Sequence, residues 1–426
     1  MRILIPTNLT DLKNHLNDSL FKNAIYLIST TVATSLFGFI FWMIAARYYT
    51  SEEVGLGSTI ISAMSLLSML SLLGFNVALI RFLPMSNRKR DMINSCFILS
   101  VIASLGVTMV FLLGLGVFSP KLLPLRSSLL FVLLFIIFTG VWSTTFLLNS
   151  VLTAERAAKY VLFKESIFGA SRLPIPIFLV SLGAFGIFIS WGIGSVIAVI
   201  TGLTFLFRVI PAYRPAIRVD GEIINEMLHF SFWNYLSVIF AAVPALVLPL
   251  MITNILTPET TAYFYISWMI TNLLFMIPRQ TAQSLFAEGS NLEESIGLNV
   301  KKSLKFIFLL LPPSVLFILI FGDRLLLLFG SEYSEEGFVL LQILALSTIP
   351  MALNTVYVTV KNIKKEVKTV TLIYGVIAVV TLGGSYLLLE SMGLVGVGVA
   401  WVLGNLVVAG GIGLVVGKES LKIGGE

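Results

Sequence analysis

Two apolar stretches of the chain carry the same pattern of glycine and tryptophan. The four matched pairs, all at one constant offset, are Gly183 and Gly393, Gly186 and Gly396, Trp191 and Trp401, and Gly194 and Gly404. A weaker repeat, residues 50–52 (TSE) and residues 257–259 (TPE), lies upstream of each of the two stretches. A repeat of about half the chain length in so apolar a sequence indicates two similar lobes in a membrane, an arrangement common among transporters.

Apolar segments long enough to cross a bilayer fill most of the chain. Only 12% of the residues are charged, whereas a soluble domain carries about 25%. A span needs about 20 residues, and the predicted spans are 23–46, 55–80, 92–118, 129–153, 160–182, 185–207, 231–253, 260–285, 304–322, 337–360, 370–389 and 394–416. We therefore expect an all-α polytopic membrane protein with twelve transmembrane helices in two six-helix bundles of parallel orientation.

The charges between the spans predict the orientation and the lobes. With a cytoplasmic N-terminus, nearly all Lys and Arg residues fall in cytoplasmic loops, Lys164 among them. This bias follows the positive-inside rule and predicts cytoplasmic termini in a multi-pass protein of the cell membrane. A polar cytoplasmic linker, 208–230, is expected to join an N-lobe of residues 1–207 to a C-lobe of residues 231–426.

Several functional classes lack their sequence signals. The histidines, His15 and His229, lie in polar flanks, and neither a P-loop nor a metal-ligand cluster is present. The net charge of +6 is distributed in short clusters rather than in a basic stripe interleaved with aromatic residues. We expect no catalysis, no cofactor, no bound metal and no nucleic-acid partner.

Arg172 is the strongest candidate for a functional residue. It lies about twelve residues into span five, which is about 18 Å into a core about 30 Å thick. A charge near the midplane is costly and usually functional. Pro174 and Pro176 are expected to free the carbonyls of Ala170 and Arg172, which would suit an anionic group such as phosphate beside the guanidinium. The alternative is an internal ion pair with Glu165 on the same face.

Spans two and eight hold the other candidates. Ser65 and Ser68 belong to a series of serines spaced by three, which either packs helices closely or lines a cavity for a sugar. Arg279, near the cytoplasmic end of span eight, either snorkels to the headgroups or contacts substrate together with Asn272.

Four further stretches resemble a known family in their order and spacing. They are residues 21–24 (FKNA), 46–55 (ARYYTSEEVG), 74–84 (GFNVALIRFLP) and 228–231 (LHFS). Over essentially the whole chain the sequence resembles polysaccharide-biosynthesis membrane proteins of the multidrug/oligosaccharidyl-lipid/polysaccharide exporter superfamily, above all the O-antigen and repeat-unit flippases. The resemblance implies a two-lobed fold of twelve or fourteen helices around a cavity, and translocation of polyprenyl-pyrophosphate-linked oligosaccharides. It departs at 241–246, where many relatives carry a charge.

Three functions follow from these observations. The first is a flippase that moves a lipid-linked oligosaccharide from the inner to the outer leaflet, with membrane lipids and glycosyltransferases or a polymerase of the same pathway as further partners. The second is an exporter of small drug-like molecules, which the lack of Asp or Glu near any predicted midplane disfavours. The third is a non-transporting membrane scaffold, which Arg172 and the repeat disfavour.

Overall fold

The computed structural model describes residues 19–289 and 296–423, and within these ranges the chain is helical and contains no strand. The helices are α1 (Ser19–Tyr48), α2 (Ser51–Ser71), α3 (Phe75–Phe82), α4 (Lys89–Leu113), α5 (Leu129–Ala154), α6 (Ala158–Ser171), α7 (Ala184–Val209), α8 (Gly221–Ile255), α9 (Pro258–Gly289), α10 (Ile296–Leu327), α11 (Ser331–Ile363) and α12 (Val367–Ile423), with short helical turns between some of them. Ten helices of the described ranges are long and apolar enough to cross a membrane. The predicted all-helical, two-bundle architecture is confirmed. The polar N-terminal flank with His15 lies outside the described residues.

The sequence repeat is also a repeat of backbone conformation. Gly183 starts α7 with φ 56° and ψ −137°, and Gly393 breaks α12 with φ 56° and ψ −138°. A residue with a β-carbon is strained at such positive φ, which explains why both positions are glycine. The break at Gly393 also means that α12 holds the last two predicted spans.

Predicted span two is wrong as a single helix, because the chain breaks between α2 and α3. Leu73 and Gly74 both have positive φ, 51° and 83°. The hydroxyl of Tyr235 in α8 donates to the carbonyls of Leu70 at 2.7 Å and Met69 at 3.2 Å. Carbonyls at a helix end need such partners, so a residue far along the chain stabilises this helix end.

Predicted span five is likewise not one regular helix. Helix α6 ends at Ser171, and two short turns, Ile175–Phe178 and Val180–Leu182, follow it. Pro174 and Pro176 cannot donate to the helical ladder. The expectation that the Ala170 carbonyl is free is wrong, because it accepts from the Leu173 amide at 3.3 Å.

The two halves of the fold meet tightly at the end where α2 and α9 begin, which we name the closed end. A β-carbon on Gly55 would lie 1.7 Å from the carbonyl oxygen of Pro258, so the backbones touch. A chain of hydroxyls runs beside this contact, from Thr59 to Thr253 at 2.6 Å and on to Thr261 at 2.7 Å. The opposite end carries residues 210–220, between α7 and α8, and is named the linker end.

Candidate functional site

A cavity of about 1220 Å³ lies between the two halves, on the linker side of the closed end. Trp42 of α1 and Tyr265 of α9 both line it and pack against each other, with ring centroids 4.5 Å apart. Arg279 and Asn362 line it nearer the linker end. Sites for small molecules measure about 300–1,000 Å³, so this cavity has room for a larger, multi-unit headgroup.

Uncharged polar groups line both walls, and the two walls differ in kind. Hydroxyls predominate on the N-terminal half, for example Thr30, Thr34 and Ser65. Side-chain amides predominate on the C-terminal half, for example Asn234 and Asn405. Hydroxyls and amides both donate and accept hydrogen bonds, which suits a ligand rich in hydroxyl groups.

Arg172 lies in the cavity wall at the end of α6 and is 3% exposed. Its guanidinium carbon lies 4.0 Å from the ring centroid of Trp191, 4.3 Å from that of Phe168 and 4.9 Å from that of Phe41. We call these three rings the aromatic cage. The Nε and Nη1 atoms are buried and have no hydrogen-bond partner among the described residues. Cation–π contacts thus surround a charge that has no carboxylate within ion-pair distance among the described residues.

Glu165 also lines the cavity, but its partners differ from the predicted one. Its Oε1 atom accepts from Asn149 Nδ2 at 2.8 Å and lies 2.8 Å from Lys164 Nζ. The proposed pairing of Glu165 with Arg172 is therefore replaced by an ion pair with the preceding residue.

Lys164 was placed in a cytoplasmic loop by the sequence reasoning, and that placement is wrong. Its side chain is fully buried in α6, where Nζ donates to the carbonyl of Thr145 at 3.2 Å. A β-carbon on Gly202 of α7 would lie 3.1 Å from Lys164 Cδ, so the glycine leaves room for the long side chain. An adjacent Glu165 within an apolar run was the available signal for a buried pair.

The structure separates the two serine candidates of α2. Ser65 lines the cavity, whereas Ser68 is fully buried and donates to the Thr139 carbonyl of α5 at 2.9 Å. The expectation that both line one wall fails at Ser68, which packs two helices of the same half together.

Arg279 and Asn272 lie one above the other on the cavity wall of α9. Asn272 donates to the Trp268 carbonyl at 2.9 Å, and Arg279 Nη1 lies 3.5 Å from Asn272 Oδ1, at the outer limit of a hydrogen bond. Arg279 keeps an exposed surface, and its guanidinium carbon lies 5.6 Å from the ring centroid of Phe275.

Tryptophans cluster at the cavity, which the sequence pattern does not predict. Five of the six in the chain line it, namely Trp42, Trp142, Trp191, Trp268 and Trp401. Ring centroids are 5.7 Å apart for Trp142 and Trp191, and 4.8 Å apart for Trp268 and Trp401. The repeat of Trp191 and Trp401 was the only signal of this clustering in the sequence.

The residue beside Gly404 in the C-terminal half, unlike the one beside Gly194, is uncharged. A β-carbon on Gly194 would lie 3.1 Å from Arg172 Cβ, whereas one on Gly404 would lie 2.7 Å from the hydroxyl of Thr381. Residues Ala241, Ala242, Ala245 and Leu246, from the uncharged stretch noted in the sequence, line the cavity as well. Among the described residues that line the cavity, Arg172 and Glu165 therefore belong to the N-terminal half, and Arg279 of the C-terminal half lies nearer the linker end.

Known proteins share the sequence pattern and the fold. A family model described as "Polysaccharide biosynthesis protein" matches residues 20–286. A candidate O-antigen transporter of Shigella flexneri is 25% identical over 218 residues, which is 48% of this chain and 52% of that protein. The match thus spans about half the length of that relative.

Two solved structures illustrate the likeness of fold. Lipid II flippase MurJ, in an inward closed conformation, gives a TM-score of 0.72 at 13% identity, over 90% of this chain and 86% of MurJ. A multidrug resistance MATE family transporter of the MOP superfamily, in an inward-facing conformation, gives 0.68 at 17% identity, over 93% of this chain and 98% of the other. Identities this low establish the shared fold alone.

Proposed function

Because the chain belongs to the polysaccharide biosynthesis protein family, we propose that it is a flippase for a lipid-linked oligosaccharide. The observation that carries the proposal is the cavity, in which hydroxyl and amide walls accompany a guanidinium whose Nε and Nη1 atoms have no hydrogen-bond partner in the described part of the chain. A polar, anionic headgroup would find partners there while its lipid chain stays in the bilayer. Arg172 would attract the phosphate, and Ser65, Asn272 and Arg279 would contact the headgroup.

The direction of transport follows from the charges between the helices. We place the linker end in the cytoplasm, with both termini there, because Lys and Arg are concentrated in the loops on that side. The cavity would then receive its ligand from the inner leaflet. An inside-negative potential favours outward movement of an anion by about 2.3 kcal/mol per charge per 100 mV. Residues 208–230 would join the lobes 1–207 and 231–426.

A transport measurement tests the role of Arg172. In liposomes holding a fluorescent polyprenyl-pyrophosphate oligosaccharide, we expect Arg172→Gln to slow flipping by at least about tenfold, since a charged hydrogen bond contributes about 1.5–3 kcal/mol. Arg324→Gln is the matched control, because Arg324 lies at the end of α10, outside the cavity lining. Undiminished flipping by Arg172→Gln would refute this role.

Export of a small cationic molecule is the competing function, and it fits the charges of the cavity less well. The carboxylate that lines it, Glu165, is already engaged by Lys164, while Arg172 and Arg279 would repel a cation. Ethidium efflux from cells that express the protein distinguishes the two. A scaffold without transport would leave both assays at background.

A further inference from the structure

Two buried charged groups and one partly buried charged group lie along α6 and at its end. Lys164 is fully buried, the Glu165 side chain is 13% exposed, and Arg172 is 3% exposed. When all three are ionised, they sum to one positive charge. Burying any of them without compensation is costly, so the pairing among the three decides which charge remains available.

The pairing holds Glu165 on Lys164. The Oε1 atom of Glu165 lies 2.8 Å from Lys164 Nζ and accepts a hydrogen bond from Asn149 Nδ2, also at 2.8 Å. Lys164 is itself fixed from a second helix by the Thr145 carbonyl and has its space provided by Gly202. Helix α5 therefore fixes the ammonium group beside the carboxylate, and α7 leaves room for the apolar part of the lysine side chain.

Arg172 is the cation that Glu165 would otherwise meet. The two lie seven residues apart, which is about two helical turns and places them on one face, and both line the same cavity. Around the guanidinium, the aromatic cage supplies no carboxylate, and two nitrogens lack partners among the described residues.

We infer that Lys164 is a positioning residue: by holding Glu165 it prevents an internal ion pair at Arg172 and leaves that charge for one phosphate-type anionic group of the ligand. This inference rests on the proposed function. It makes a prediction that the fold alone does not make, namely that the two members of one ion pair have opposite effects on binding when each is neutralised.

Titration of an anionic lipid tests the inference directly. The probe is undecaprenyl monophosphate in nanodiscs, with neutral undecaprenol as reference, followed by the fluorescence of the cavity tryptophans. We expect Lys164→Met to weaken binding at least about tenfold, because the released Glu165 then neutralises Arg172. We expect Glu165→Gln to bind as tightly as the unmodified protein or more tightly, and Lys164→Met with Glu165→Gln to bind within about threefold of it.

The alternatives give different patterns. If the ion pair only stabilises the fold, Lys164→Met and Glu165→Gln should weaken binding of the lipid equally. If Lys164 contacts the ligand, the double variant should also bind weakly. Either result overturns the inference. If Lys164→Met alone is too unstable to purify, Lys164→Gln takes its place, and binding by that variant as tight as by the unmodified protein overturns the inference. Equal binding of undecaprenol would overturn the phosphate contact, and with it the inference.

Two further arms separate this inference from the proposed function and identify the source of the phosphate. If Arg172→Gln binds undecaprenyl monophosphate as the unmodified protein does, the Arg172 role in the proposed function fails, whatever Lys164 does. Inorganic pyrophosphate, added as a competitor, distinguishes a site for any phosphate from one that requires the lipid. We expect it to compete at least about tenfold more weakly than the lipid.

Discussion

One helical turn of α2 separates two serines with different surroundings. Ser65 is partly exposed and lines the cavity, whereas Ser68 is sealed against α5 by its bond to the Thr139 carbonyl. Interiors packed to crystal density tolerate extra methylene groups poorly. The same substitution at the two positions should therefore affect different properties of the protein.

We expect Ser65→Leu to block flipping while the protein stays stable, because an apolar side chain replaces a hydroxyl on the cavity wall. Ser68→Leu should instead lower the free energy of unfolding by about 1–3 kcal/mol through overpacking. Thermal unfolding and the liposome assay, run on both variants, measure the two effects. Ser65→Ala, which leaves the wall open, is the control and should retain most transport. Equal stability of both leucine variants would contradict this assignment.

Helices α2 and α9 approach each other closely where the two halves meet. At the closed end, Gly55 leaves no space for a β-carbon against the Pro258 carbonyl, and the hydroxyls of Thr59, Thr253 and Thr261 run beside it. If the proposed transport works by alternating access, in which one half rocks against the other, this contact separates when the cavity opens to the other side.

A methyl group at Gly55 should therefore shift the population toward a state with the closed end open. Spin labels at Tyr48 and Leu328, both exposed near this end, would report the change as a longer distance. Gly106→Ala is the matched control, since a β-carbon at Gly106 of α4 meets no atom within 4 Å. An unchanged distance distribution in Gly55→Ala would show that the contact does not limit opening.

At the scale of the whole molecule, the loop charges predict twelve crossings. Ten described helices can span a membrane, α6 with its following turns accounts for another crossing, and the break at Gly393 divides α12 into two. An error of one crossing would invert every later loop.

Accessibility labelling tests this topology. In a variant lacking the buried Cys96, we expect cysteines at Lys89 and Lys364 to react from the cytoplasmic side. A cysteine at Glu332, which is exposed at the start of α11, should react from outside. If Lys364 and Glu332 label from the same side, the assignment of α11 as a crossing is wrong.

Patterns among neighbouring residues predicted the membrane spans, whereas the helix breaks and the buried charge involve contacts between residues far apart in the sequence. Apolar length and loop charge are properties of neighbouring residues, so the spans and the glycine–tryptophan repeat were readable from the sequence. Tyr235 of α8 donates to a carbonyl at the helix end before Gly74, and Gly202 of α7 leaves room for the buried Lys164. Neither relation has a local pattern. Arg172 was recognisable from its depth, but its aromatic cage comes from three separate helices.

The matched glycines Gly194 and Gly404 have a consequence for how such a chain can diverge. In a protein assembled from two identical copies of one half, the arginine beside Gly194 would reappear beside Gly404, and two guanidiniums would face each other across the ligand. Joining the copies in a single polypeptide lets each half accumulate its own substitutions. In this chain the neighbour of Gly194 is Arg172, whereas the neighbour of Gly404 is Thr381. Covalent fusion thus allows the two cavity walls to carry different residues, which a symmetric dimer of one half could not do.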